Sequence, residues 1–292
     1  MEQLETIRRK LQSAKDLHSV VKTMKSLAAV NIREYEKAVE SLQDYFRAIR
    51  MGLQIAMRNK PEKVRFLQPG EQEKCGAVVF GSEQGMVGQF NDKIAEFTRQ
   101  KINEMDIQRE NLTVMALGEK LIGQLDGLGI EVDEGINVFG SMVDVNEVNQ
   151  EMLIKIEEWR LKKKVGRIIL FYNRTSSGTT YVQTMRKLFP LDKNWLDSLS
   201  TKEWPTHMLP SLYMDWKELF SALLQEYFFV ALYRASMESL TSENASRLSS
   251  MQAAEKNIQE RLDDLNTKYQ HQRQESITAE LLDIISGFEV LS

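Results

Sequence analysis

The chain has 292 residues, 42% of them hydrophobic and 27% charged, with 38 basic and 42 acidic side chains giving a formal net charge of −4. That composition fits a globular protein of about two domains with room for a sizeable core, and it lacks the basic surplus of a nucleic-acid binder. One cysteine, Cys75, rules out an internal disulfide, the histidines His18, His207 and His271 share no metal-ligand spacing, and no run of about 18 apolar residues is present to span a membrane.

The first segment, "MEQLETIRRKLQSAKD", is charged every few residues, unlike a secretory signal or a transit peptide. No proline falls before Pro61, so a long helix is predicted over 1–58. Leu4, Ile7, Leu11 and Ala14 step by three and four. After one extra step of three come Leu17, Val21, Met24 and Ala28, and then, past Asn31, Tyr35, Ala38, Leu42, Tyr45 and Ile49. A stripe this narrow predicts a coiled-coil seam with a local stammer. Arg8, Arg9, Lys10, Lys15, Lys22 and Lys25 read as a solvated face.

Residues 74–190 alternate in character. "CGAVVFGS", "NLTVMAL" and "GRIILFYN" read as strands, whereas "NDKIAEFTRQKINEM", "EKLIGQLDGLG" and "EVNQEMLIKIEEWRLKKK" read as helices. That order predicts βαβ units and a mainly parallel sheet, a Rossmann-like α/β head. A short polar link to "YVQTMRKLF" predicts one antiparallel edge strand. "GSEQGMVGQFN" (81–91) stands where a dinucleotide fingerprint would, but Gly81, Gly85 and Gly88 have the wrong spacing and no P-loop lysine follows. A tight strand-to-helix turn is the better reading.

From about Leu212 to Ile285 there is neither proline nor glycine, and Leu248, Met251, Ile258, Leu262, Leu265 and Tyr269 keep a three-four rhythm. A second long helix is predicted over 211–287, its natural partner the first one in an antiparallel pair. Asn31, Asn244, Glu255 and Gln272 interrupt the seam. The chain ends "ITAELLDIISGFEVLS", apolar at Leu281, Leu282, Ile284, Ile285, Phe288, Val290 and Leu291. Exposed apolar surface of that kind marks a partner site, so the residues point to a shaft or lever within an assembly. A coiled-coil adaptor with an α/β head, or a nucleotide-binding α/β enzyme, are the alternatives left open by pattern alone.

Both ends carry a resemblance. "VVKTMKSLAAVNIRE" (20–34) resembles the N-terminal helix motif of the gamma subunit of rotary F-type ATP synthases, and 231–287, with "ALYRASMESLTSENASRLSSMQAAEKN" and "RQESITAELLDIISG", resembles that family's C-terminal signature. "GSEQGMVGQFN" is similar to the family's loop, with Gln89 where a glycine is usual, and "SLYMDWKEL" lacks the usual Glu-Pro-Asp but keeps Asp215. These departures fit a divergent version, such as a sodium-pumping one.

The resemblance implies a non-catalytic rotor shaft without cofactor or metal, coupling ATP synthesis or hydrolysis on partner beta subunits to ion transport. Its partners would be the alpha and beta subunits, an epsilon-type subunit and a membrane ring of c-type subunits, with no nucleic acid and no insertion into the bilayer. It would be peripheral on the cytoplasmic face of the plasma membrane. Contact with the catalytic ring is expected at Met24, Lys25, Arg273, Gln274, Ile277, Thr278, Glu280, Leu281, Leu282 and Ile285, and contact of the foot with the membrane ring at Tyr213 and Asp215.

Overall fold

A computed structural model describes residues 2–61, 74–137, 142–177, 180–205, 208, 210 and 213–291. Its long elements are α1 (Glu2–Arg58) and α6 (Trp216–Leu291). Between them lie β1 (Lys74–Phe80), α2 (Phe90–Glu104), β2 (Leu112–Leu117), α3 (Glu119–Gly127), β3 (Glu134–Ile136), α4 (Met142–Lys162), β4 (Val165–Ser177), β5 (Thr180–Phe189) and α5 (Lys193–Thr201). Residues group into two compact units: Asn31–Ser246, and Met1–Val30 with Arg247–Ser292.

The 31–246 unit is built on a five-stranded sheet of order β3-β2-β1-β4-β5. Parallel pairing joins β3, β2, β1 and β4, and β5 adds antiparallel at the edge. The parallel strands are buried on both faces, which is why β1 and β2 read as continuous apolar runs. One face packs Ala77, Val79, Val114, Ala116 and Phe171 against Ile94 of α2 and Leu121 and Leu125 of α3. The other packs Val78, Phe80, Met115, Leu170 and Tyr172 against Met152 and Trp159 of α4, Leu53 and Ala56 of α1, and Phe228 and Leu232 of α6. Parts of both long helices are therefore a layer of this unit. Neither the short strand β3 nor the helix α5 is among the elements expected from the sequence, although α5 is amphipathic over its nine residues. Asp192 caps α5, its carboxylate accepting from Asn194 N at 2.8 Å, and Leu196 and Leu199 bury its inner face.

The other unit is an antiparallel pair formed by residues 2–30 of α1 and 247–291 of α6. Leu11 packs with Leu262 and Leu265, flanked by Ile7, Ala14, Ile258 and Tyr269. The expected stammer is absent. The covered positions of α1 run Leu4, Ile7, Leu11, Ala14, His18, Val21, Lys25 and Ala28, an unbroken three-four alternation, while Leu17 stands 51% exposed. Apolarity alone assigns Leu17 to the seam; the heptad geometry gives that position to His18. The facing stripe on α6 is Met251, Glu255, Ile258, Leu262, Leu265, Tyr269, Gln272 and Ser276, equally regular. Lys25 and Glu255, polar residues on opposing stripes, close an ion pair.

Candidate functional site

Helix α6 carries its apolar residues on the seam as far as Tyr269. Beyond that the pattern shifts. Ile277, Leu281, Leu282, Ile284 and Ile285 are 47%, 55%, 60%, 57% and 55% exposed. At about 100° per residue these five cover an arc of about 160° whose centre lies roughly opposite the seam line through Gln272 and Ser276. The register set by Leu11 against Leu262 and Leu265 carries Glu2 to a level about that of residue 274. Ile277, Leu281, Leu282, Ile284 and Ile285 accordingly have no described part of α1 beside them, and their side chains remain bare. The side chains of Phe288, Val290 and Leu291 lie outside the described residues.

Below this arc come the polar positions. Arg273, Gln274, Thr278 and Glu280 are all exposed. Thr278 Oγ1 donates to the Gln274 carbonyl at 2.9 Å within the helix. Arg273 and Glu280 make no ion pair among the described residues, so both charges stay available to a partner. On α1, Met24 is half-buried and Lys25 is committed to Glu255. The hydrogen bond from Lys25 and its charge hold the Glu255 carboxyl below the usual range, with His18 and Lys22 adding to the effect against some desolvation. Beside Met24 the helix shows a second bare stripe, Leu17, Val20 and Leu27, at 51%, 52% and 57% exposure. Pattern reading misses it by assigning Leu17 to the interior; the signal is the i, i+3, i+7, i+10 spacing of Leu17, Val20, Met24 and Leu27.

A third exposed apolar group lies in the 31–246 unit, between α5 and α6. Met208, Tyr213 and Met214 are 83%, 97% and 50% exposed. Asp215 is occupied otherwise. Its carboxylate accepts from Lys217 N at 3.1 Å and its carbonyl from Leu219 N at 3.0 Å, so it caps α6. The segment is anchored from behind: Trp216 Nε1 donates to the Ala56 carbonyl at 2.6 Å and Gln54 Nε2 to the Lys202 carbonyl at 2.7 Å. His207, Ser211 and Leu212 lie outside the described residues. The signal for Met208 and Met214 is their apolar character within a proline-marked loop.

The 81–91 loop is a closed polar latch. Ser82 N donates to Asn91 Oδ1 at 3.0 Å, Asn91 Nδ2 to Ser82 Oγ at 2.8 Å, and Ser82 Oγ to the Gln84 carbonyl at 2.9 Å. Ser246 Oγ donates to the Val87 carbonyl at 2.6 Å, and Asn173 Nδ2 to the Phe90 carbonyl at 3.3 Å. These groups fasten the turn to itself, to β4 and to α6 instead of pointing outward as a phosphate cradle would.

A family model described as ATP synthase matches residues 3–291. Among curated proteins the chain is 26% identical to the ATP synthase gamma chain of Sulfurovum sp. (strain NBC37-1), covering 99% of each chain. It is 27% identical to that of Paracoccus denitrificans (strain Pd 1222), covering 100% of each. Among solved structures it aligns with a chain of the Euglena gracilis mitochondrial ATP synthase (OSCP/F1/c-ring, rotational state 3) at a TM-score of 0.67 and 17% identity, covering 99% of this chain and 95% of that one. A chain from the Tetrahymena thermophila mitochondrial ATP synthase central stalk and c-ring aligns at 0.59 and 17% identity, covering 80% of this chain and 99% of that one.

Proposed function

The chain belongs to the ATP synthase gamma-chain family and is a central-stalk rotor subunit of an F-type ATP synthase, and from this premise we propose how its surfaces divide the work of coupling. The arc of Ile277, Leu281, Leu282, Ile284 and Ile285 is the bearing, seated inside a ring of alpha and beta subunits whose beta members carry the ATP chemistry. The single observation behind this reading is the exposure of five apolar side chains on the face of α6 turned away from its seam. A bearing is best apolar, because specific polar contacts would hold the shaft at preferred angles. Arg273, Gln274, Thr278 and Glu280 supply the few contacts that sense angle, and Met24 with its neighbours Leu17, Val20 and Leu27 supplies a second contact lower on the shaft, braced by the Lys25–Glu255 pair.

At the other end of the work, Tyr213 with Met208 and Met214 meets the ring of c-type subunits, and an epsilon-type subunit joins the same rotor. Asp215 acts there by shaping the start of α6. No helix among the described residues is long and apolar enough to cross a membrane, and attachment in this reading runs through these partners, on the cytoplasmic face of the plasma membrane.

Reconstitution tests the bearing. A charge placed in an apolar sleeve is costly without a partner, so Leu282→Asp should weaken assembly with the alpha–beta ring. Arg273→Ala should assemble normally yet pump fewer ions per ATP hydrolysed. Normal assembly of the first variant together with normal coupling in the second would remove the bearing from this end of α6.

A further inference from the structure

Helices α1 and α6 and strand β5 enclose a groove of about 360 Å³ within the 31–246 unit. Its apolar side includes Phe46 and Val230, and its polar side carries four arginines, Arg47, Arg50, Arg186 and Arg234, against a single carboxylate, Asp44. The concentration of cations contrasts with the chain's net charge of −4. Arg234 is held by Glu238 at 2.7 Å. Arg47, Arg50 and Arg186 enter no ion pair or hydrogen bond among the described residues, although Arg50 and Arg186 are half-buried. Guanidinium groups drawn partly out of water without an anion are unfavourable unless something else supplies the negative charge.

The chemistry of that counter-charge follows from the lining. Every cation is an arginine, whose planar fork binds oxyanions through paired hydrogen bonds, and no lysine is present. The volume lies in the range of small-molecule pockets, about 300–1,000 Å³. We propose that this groove binds a small, multiply charged phosphate compound, for which pyrophosphate is a compact probe, gripped by Arg50 and Arg186 with Arg47 closing from the rim. Because α1 and β5 each contribute an uncommitted cation, the ligand ties these two elements together. Binding to the folded state alone then stabilises it. The site is separate from the 81–91 turn and requires no nucleotide chemistry.

Isothermal titration of the full-length chain with pyrophosphate at physiological ionic strength tests the proposal. Wild-type protein should bind saturably at one site, and its thermal midpoint should rise with pyrophosphate. Arg50→Gln and Arg186→Gln should each weaken binding about tenfold or more and abolish the thermal shift, while Arg99→Gln on α2 leaves both unchanged. Midpoints measured without ligand show that the variants are folded, and either single variant suffices if the other is unstable. Absence of saturable binding, or equal binding by wild type and both groove variants, overturns the proposal. So does stronger binding of a glutamate-rich peptide or of phosphatidylglycerol vesicles that pyrophosphate fails to displace, which would make the groove a surface for a macromolecule.

Discussion

Single residues decide whether the 81–91 turn is a binding loop or a structural one. A β-carbon added to Gly81 would lie 2.3 Å from Leu121 Cβ and 2.9 Å from Asn91 Oδ1, and Gly118, at φ +95°, presses against the Ser82 backbone in the same way. Gly81→Ala should thus destabilise the 31–246 unit by about 1–3 kcal/mol or more, the usual cost of overpacking, read as a lower midpoint in urea. Gly85, with nothing within 4 Å, should accept alanine with little loss, so the pair distinguishes packing from a general need for glycine. The spacing of the glycines by itself argues against a fingerprint. What spacing cannot reveal is that Asn91 and Ser246 satisfy the turn, because those partners are brought together only by the fold. Cys75 illustrates the same limit. It is 2% exposed in the middle of the sheet, and burial pushes its thiol up to about 11. Its thiolate is therefore scarce at neutral pH, and a thiol reagent should label the folded chain far more slowly than the unfolded one.

Helices and strands are largely legible as elements, and their partners less so. The parallel order with an antiparallel edge strand follows from strands alternating with helices and from the short link between β4 and β5. Apolarity misplaces the seam by one residue at Leu17, because a hydrophobic side chain on the bare flank outscores a histidine on the seam. Three of the four interruptions turn out to be matched: Asn31 Nδ2 donates to Asn244 Oδ1 at 3.4 Å within the 31–246 unit, and Lys25 answers Glu255 in the other, whereas Gln272 donates to Glu275 of its own helix. A pairing of this kind has a sign in pH. The Glu255 carboxyl is held low in the folded pair. Its contribution is present above the unfolded carboxyl's range and is lost as pH falls through the lower, folded one. Amide protection around Val21, Ala28 and Met251 should accordingly drop on acidification into the carboxylate range. In Lys25→Gln that acid-dependent drop should be smaller; an identical drop would show that other carboxylates govern it.

For the whole molecule, the two end signatures and their order point to the family by themselves, and the family match runs over residues 3–291. The groove of arginines is not legible in the same way, because Arg47, Arg50, Arg186 and Arg234 are scattered along the chain and become neighbours only through the packing of α1, β5 and α6. Of the two residues proposed for the foot, Tyr213 is exposed, whereas the Asp215 carboxylate is engaged at the start of α6. The proposed division of labour has the ring hold still while this chain turns. The most direct measurement attaches a bead to the head through an engineered thiol, Arg99→Cys on α2, with the alpha–beta ring fixed to glass; buried Cys75 should not compete for the label. On addition of ATP the bead should rotate continuously in one direction, and Leu282→Asp should reduce the number of rotating complexes. A bead that stays fixed while the same complexes hydrolyse ATP would contradict the rotor account.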